Sequence, residues 1–249
     1  MMKKIWIAVT MVICGVTAQT SQAQLWTAGH GDLGVGFEGG NLEPHWHLGE
    51  DNESVTLNGV PQTLGLEGQE FEASEITAQT GFSAARPVGV EWDFLGTTAG
   101  QTTYFIPELE QAGVPFLGFG SEELNAADWA TPISLTLTSF TGPGVFSLYQ
   151  NSSNVFMTTS DGVSGADVLN QNAGGHAHYT WAFSALGTYQ ITLQASGTTV
   201  ASPVTGGIAG NTTYTSGAET FTVNVVPEPT TFTLLLAGLA GMVLTRRRR

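Results

Sequence analysis

Five runs in this chain alternate apolar and polar residues: SLTLTSF at 134–140, VFSLYQ at 145–150, HYTWAFS at 178–184, TYQITLQAS at 188–196 and TFTVNVV at 220–226. Successive side chains of a strand point to opposite faces, so a period of two buries one face and leaves the other wet. The segments TGPG, SDGVSG, NAGG and TSGAE lie between the runs and read as turns. Helix signals are few. The pattern predicts an all-β body, an antiparallel immunoglobulin-like β-sandwich. In SALGTYQITLQA, Tyr189, Ile191 and Leu193 are expected to face the core, with Gln190, Thr192 and Gln194 outward. YTWAF and TYQITLQA are expected to be neighbouring strands joined by a tight turn at Leu186 and Gly187, with TSGAETFTVNVV as the closing strand.

Two stretches are less regular. The middle, YFIPELEQAGVPFLGFGSEELNAADW, reads as a long loop with one helical turn near SEELNAADW. The acidic GEDNESVTLNGVPQTLGLEGQEFEASE reads as an exposed excursion with little regular structure. EGGN at 38–41 is a turn.

Both ends read as targeting segments, not as fold. The start has Lys3 and Lys4, an apolar run from Ile5 to Val16, and small residues Ser21 and Ala23. It reads as a secretory signal helix over 1–23, cut after Ala23 by signal peptidase. The chain's single cysteine, Cys14, follows Ile13, which is too large for a lipoprotein signal. The end, VPEPTTFTLLLAGLAGMVLTRRRR, holds an apolar, helix-compatible stretch from Thr231 to Thr245. At 15 residues it is shorter than the roughly 20 that a permanent span needs. Arg246, Arg247, Arg248 and Arg249 behind it favour the cytoplasmic side. Pro227, Glu228 and Pro229, then the apolar helix, then the arginines, resemble the PEP-CTERM sorting signal. That resemblance implies a Gram-negative-type envelope, recognition by an exosortase, and transient or permanent inner-membrane anchoring through segment 227–249.

The body between them, 24–226, has no cysteine, so disulfides contribute nothing to it. Of the chain's 21 acidic residues only Glu228 lies outside this body, and of its seven Lys and Arg only Arg86 lies inside. Such a surface repels nucleic acid, which is excluded as a partner. Trp26, Trp46, Trp92, Trp129 and Trp181 offer either a sugar-binding face or ordinary core. No Gly-x-Ser-x-Gly elbow, His-Glu-x-x-His, phosphate loop or dinucleotide fingerprint occurs, so catalysis has little support.

All five histidines fall in three tight places: His30 with Asp32 in GHGD, His45 and His47 in PHWH, and His176 and His178 in HAH. On a strand, residues i and i+2 share a face, so each pair presents two side chains together. Brought together, they would suit zinc, copper, nickel or iron(II). His30, His176 and His178 are expected to converge, with Asp32 and one or both of His45 and His47 nearby. The expected cause is that GHGD and GGHAH open neighbouring first and late strands. The alternative, rim histidines bonded to carbonyls or stacked on Trp46, Tyr179 and Trp181, stays open.

Stretches GHGDLGVGFEGGNL, PVGVEWDFLG, TYFIPELEQAGVPFLGFGSEEL, SLTLTSFTGPGVFSLY and GGHAHYTWAFSALGTYQITLQA, in that order, resemble the choice-of-anchor M domain, also described as an actinobacterial surface-anchored protein domain. Its most specific block is carried by Gly175, His176, His178, Trp181, Ala182, Phe183, Gly187, Thr188 and Tyr189, and its early GHxD by His30 and Asp32. Where the family has HAHANWAF, this chain has Tyr179 and Thr180 before the tryptophan. The resemblance implies a surface-associated β domain without established catalysis. Two functions follow: a binding module acting on envelope or exopolysaccharide components, and a divalent-metal-binding protein or metalloenzyme that uses the histidines.

Overall fold

The computed structural model describes residues 22–151 and 154–228. Most of the expected signal segment, and the tail from Pro229 through the apolar stretch to Arg249, lie outside the described residues. Among the described residues no helix is long and apolar enough to cross a membrane.

The chain is nearly all β. Its strands are β1 (Gln24–Glu38), β2 (Asn41–Leu48), β3 (Ser54–Leu57), β4 (Val60–Thr63), β5 (Gln69–Phe71) and β6 (Ile76–Thr80). There follow β7 (Ser83–Ala85), β8 (Thr102–Ile106), β9 (Pro115–Gly120), β10 (Ile133–Thr141), β11 (Phe146–Gln150) and β12 (Asn154–Thr158). The last are β13 (Val168–Gln171), β14 (His176–His178), β15 (Thr180–Phe183), β16 (Gly187–Thr198) and β17 (Thr213–Val225). Among the described residues helix is confined to short 3-10 turns at 50–52, 90–95 and 126–128.

The strands form two open sheets. The larger runs β13-β10-β16-β17-β6-β1-β2-β5 and branches at β1, to β3 and β4 on one side and to β9 and β14 on the other. The smaller runs β12-β11-β15-β8-β7. The branch has a local cause. The ladder shifts between Trp26 and Ala28, and Gly29 follows at φ 92°. Gly29 can take this left-handed value because it has no Cβ; one there would press on the Ser54 carbonyl. The first part of β1 therefore pairs with β3 and β6, and the rest pairs with β2 and β9.

The expected period, one face buried and the other open, holds in β10, β16 and the last part of β17, whereas β11 and β15 are buried on both faces. Tyr189, Ile191, Leu193 and Ala195 of β16 are buried, as are Ile133, Leu135 and Leu137 of β10. The sheets share one core: Phe146, Leu148, Trp181 and Phe183 of the smaller sheet with Tyr189, Ile191 and Phe221 of the larger. The rings of Phe183 and Tyr189 lie 4.8 Å apart across this interface. Each such burial contributes about 1.5–3 kcal/mol relative to exposure. The outer face of the smaller sheet is covered too. Phe105, Tyr149 and Ala182 meet Leu95, Trp92 and Phe94 from the 3-10 turn at 90–95.

Several expectations are corrected. The pairing is not wholly antiparallel: β1 is parallel to β6 and β9, and β6 to β17. YTWAF and TYQITLQA are not neighbours. β15 pairs with β11 and β8, whereas β16 pairs with β10 and β17. The turn between them crosses from one sheet to the other, and Tyr189 Oη fastens it by donating to the Ala185 carbonyl (2.8 Å) and accepting from its N–H (3.1 Å). The middle stretch is not a long loop, since it supplies β8 and β9; the helical turn is a 3-10 turn at 126–128. The acidic excursion holds the β3–β4 hairpin, closed by Asn58 (φ 52°) and Gly59 (φ 76°). Asn-Gly is a strong two-residue hairpin signal, and Val55 and Leu57 anchor the hairpin in the core. TSGAE is not a turn but lies within β17, opposite a register shift in β16.

Candidate functional site

The site lies on one face of β14, β9, β1 and β2. Gly39 and Gly40, at φ 55° and 87°, close the β1–β2 hairpin, and a two-residue turn of this kind fixes the register behind it. Glu38 pairs with Asn41, so Gly34 falls opposite His45 and Asp32 opposite His47. On the other side of β1, Gly118 lies opposite Asp32 and Gly120 opposite Gly34. β14 follows, with His178 opposite Gly118 and His176 opposite Gly120. One row across the sheet reads His178, Gly118, Asp32, His47, and the next reads His176, Gly120, Gly34, His45. The period of two turns Leu33, Val35, Trp46, Leu48, Leu117 and Phe119 the other way, into the core.

Glycines make room for these polar side chains. A Cβ on Gly34 would lie 2.6 Å from His45 Nε2, and one on Gly118 would overlap Asp32 Oδ1. The FLGFG of β9 thus gives Leu117 and Phe119 to the core, and Phe116 and the two glycines to the site.

His30, Asp32, His176 and His178 each offer an atom to one point, all within 4.8 Å of one another. His176 Nε2 is 3.1 Å from Asp32 Oδ1 and 3.1 Å from His178 Nε2, and His30 Nε2 is 3.7 Å from Asp32 Oδ2. Ligands at 2.0–2.1 Å from one tetrahedral ion stand about 3.3 Å apart. The outer nitrogens face carboxylates: His30 Nδ1 lies 3.3 Å from Glu53 and His176 Nδ1 3.5 Å from Glu122. The Phe116 ring stacks on His178 at 3.6 Å. Asp32 is 2% exposed, and its Oδ1, like His30 Nε2, receives no well-directed hydrogen bond. The Asp32 carboxylate holds the His176 pKa above its ordinary value, against the effect of burial. Burial, with the neighbouring His176 and His30, pushes His178 down to about 4, so it is neutral at pH 7.

A second group, His45, His47 and Glu123, stands beside the first. Glu123 Oε1 is 3.0 Å from His45 Nε2 and 3.6 Å from His47 Nδ1. Burial opposes charge on His45, but the hydrogen bond and charge of Glu123 outweigh it and raise its pKa. Burial likewise works to raise Glu123, and His45 more than offsets it, so that carboxyl is lowered. Glu50, raised by burial, lies 3.1 Å from His47 Nδ1 and groups with Asp32 and Glu122, which links the two clusters.

The fold therefore gathers the six expected residues, but as two groups and for a different reason. His30 sits inside β1, not at its start, and β9 separates β1 from β14. Sequence reasoning missed Glu50, Glu53, Glu122, Glu123 and the floor glycines. Their only signal was glycine alternating with large apolar residues in FLGFG, directly ahead of SEE. The tryptophans do not line a sugar face: Trp26, Trp46, Trp129 and Trp181 are buried and Trp92 packs under the smaller sheet. Of the expected sorting residues, Pro227 and Glu228 are described, and Glu228 accepts hydrogen bonds from the Ser83 N–H (3.0 Å) and hydroxyl (3.1 Å).

Residues 225–249 match the PEP-CTERM protein-sorting motif. The motif marks proteins that are exported and sorted to the cell surface in Gram-negative bacteria, and it implies processing by exosortase. No curated protein and no solved structure matches the chain.

Proposed function

We propose that this exosortase-targeted chain is a surface protein whose body, 24–226, holds a divalent transition-metal ion such as zinc on His30, Asp32, His176 and His178. The observation that carries the reading is the orientation of the rings. His30 and His176 turn Nε2 inward toward Asp32 and Nδ1 outward toward Glu53 and Glu122. An outer carboxylate takes the N–H of a ligating imidazole and leaves the inner nitrogen as a lone pair. The neutral His178 adds another lone pair, and Asp32 adds negative charge. Three imidazoles and one carboxylate complete a tetrahedron, the closed arrangement of a site that holds an ion and does not activate water on it. The ion would tie β14 to β1 across the glycine of β9. We assign no catalytic step.

An immunoglobulin-like β-sandwich draws support from the shared core and from the antiparallel trio β10, β16 and β17. The choice-of-anchor M reading of the body rests on the ordered stretches of sequence that resemble that domain. In this reading signal peptidase removes 1–23, the apolar tail holds the chain in the inner membrane until exosortase acts, and envelope or exopolysaccharide components surround the product.

The test is metal content of the full chain purified without chelator, and again after loading with zinc. Zinc bound in wild type and lost from the first site in His176→Ala/His178→Ala is the expected result. The same zinc content in both would leave only the surface binding module.

A further inference from the structure

We infer that His45, His47 and Glu123 form a second divalent-cation site, so that the polar face of the sheet is a two-ion centre. This deepens the metal reading above but rests on its own geometry. His45 Nδ1 lies 3.1 Å from the Glu43 carbonyl and His47 Nε2 lies 2.6 Å from the Glu67 carbonyl. A carbonyl oxygen only accepts, so both of these nitrogens carry their protons. In neutral imidazoles the inner nitrogens are then bare lone pairs, and both face carboxylates: His45 Nε2 lies 3.0 Å from Glu123 Oε1, and His47 Nδ1 lies 3.1 Å from Glu50 Oε1 and 3.6 Å from Glu123 Oε1. Lone pairs facing a carboxylate repel unless a proton or a metal cation lies between them, and the Glu123 hydrogen bond to His45 is the single-proton form of that contact. Protonation of both rings would set two imidazoliums side by side, with ring centres 6.0 Å apart and His45 only 6% exposed. One divalent ion satisfies both nitrogens and the carboxylate at once, and the nitrogen–oxygen distances bracket the ligand spacing of about 3.3 Å around such an ion.

The two sites differ in character. The first has four side-chain ligands. The second has three and lies beside a surface groove lined by His47, Glu50, Glu122 and Glu123, which leaves a position for water or an incoming ligand. Imidazole donors select a borderline ion such as Zn²⁺ or Co²⁺ over Ca²⁺ or Mg²⁺. Asp32 of the first site and His47 of the second are direct partners in the β1–β2 ladder, and Glu50 lies between them. The second ion is the exchangeable one.

Zinc bound per full chain, measured by elemental analysis after chelator treatment, reloading and gel filtration, tests this. Wild type should bind two ions. Glu123→Gln, which keeps shape and removes charge, should lower this to one, as should His45→Gln/His47→Gln. His176→Ala/His178→Ala should lower it to one independently. With Co²⁺, the visible bands lost in Glu123→Gln should differ from those lost in the His176/His178 variant. One ion in wild type, unchanged by Glu123→Gln and lost in His176→Ala/His178→Ala, overturns the second site and keeps the first. One ion lost with Glu123→Gln and unaffected by His176→Ala/His178→Ala sinks the first reading and keeps this one. No ion in wild type overturns both.

Discussion

Gly118 lies directly opposite Asp32 in the parallel ladder of β9 and β1, and the Asp32 carboxylate occupies the space a side chain at 118 would fill. This contact makes the site a product of three strands, because Asp32 can reach His176 and His178 only over a strand with no Cβ there. Gly118→Ala should displace Asp32 and weaken zinc binding by about 10–100-fold, the usual cost of disturbing a ligand's support. Overpacking should cost about 1–3 kcal/mol of stability. Zinc titration and a urea melt of the variant check both; wild-type affinity would remove Gly118 from the site.

A metal that binds only the folded chain raises its stability by mass action. At a hundredfold excess of free zinc over Kd, wild type should gain about 2.7 kcal/mol per site. The His176→Ala/His178→Ala variant should lose the first site's share. Denaturant melts with zinc and with chelator measure the difference, and equal zinc responses in the two proteins would contradict the first site.

The pH dependence of the chelator-treated protein separates two histidines. His178 is lowered in the fold to about 4 from 6.5, so the unfolded chain binds its proton first. Its contribution is intact above pH 6.5 and is lost as pH falls toward 4. His176 is raised, so its contribution is full below 6.5 and is lost as pH rises through the raised value. Wild type minus His178→Gln should therefore lose stability on acidification from 6.5 to 4, and wild type minus His176→Gln on alkalinisation. Urea midpoints between pH 4 and 8 give both differences, and the reverse sign in either contradicts the assignment.

The sorting motif is not wholly separate from the body, since Glu228 docks on Ser83. Glu228 is exposed, and hydrogen bonds there are worth little once water competes. A chain ending at Glu228 should fold with the stability of the longer protein, and one ending at Val226 should lose less than about 1 kcal/mol. Thermal melts of the two truncations decide; an unfolded product from the first would make residues 229–249 part of the fold.

Much of this protein was legible in local pattern. Alternation marked β10, β11, β15, β16 and β17, and the i, i+2 spacing placed His45 beside His47 and His176 beside His178. Gly39-Gly40 set the hairpin register and with it the opposition of Asp32 and His47. Asn58-Gly59 carried an equally plain hairpin signal, which the acidic composition around it obscured. Local pattern says nothing about which distant strands meet. That β9 lies between β1 and β14, parallel to the first and antiparallel to the second, that Gly118 rather than Leu117 faces Asp32, and that Glu50, Glu122 and Glu123 close around the rings depend on pairings between segments far apart in sequence. A one-residue slip would turn every side chain of β9 to the opposite face. Burial of Leu117 and Phe119 fixes that register, and only the assembled core supplies the surface against which they are buried.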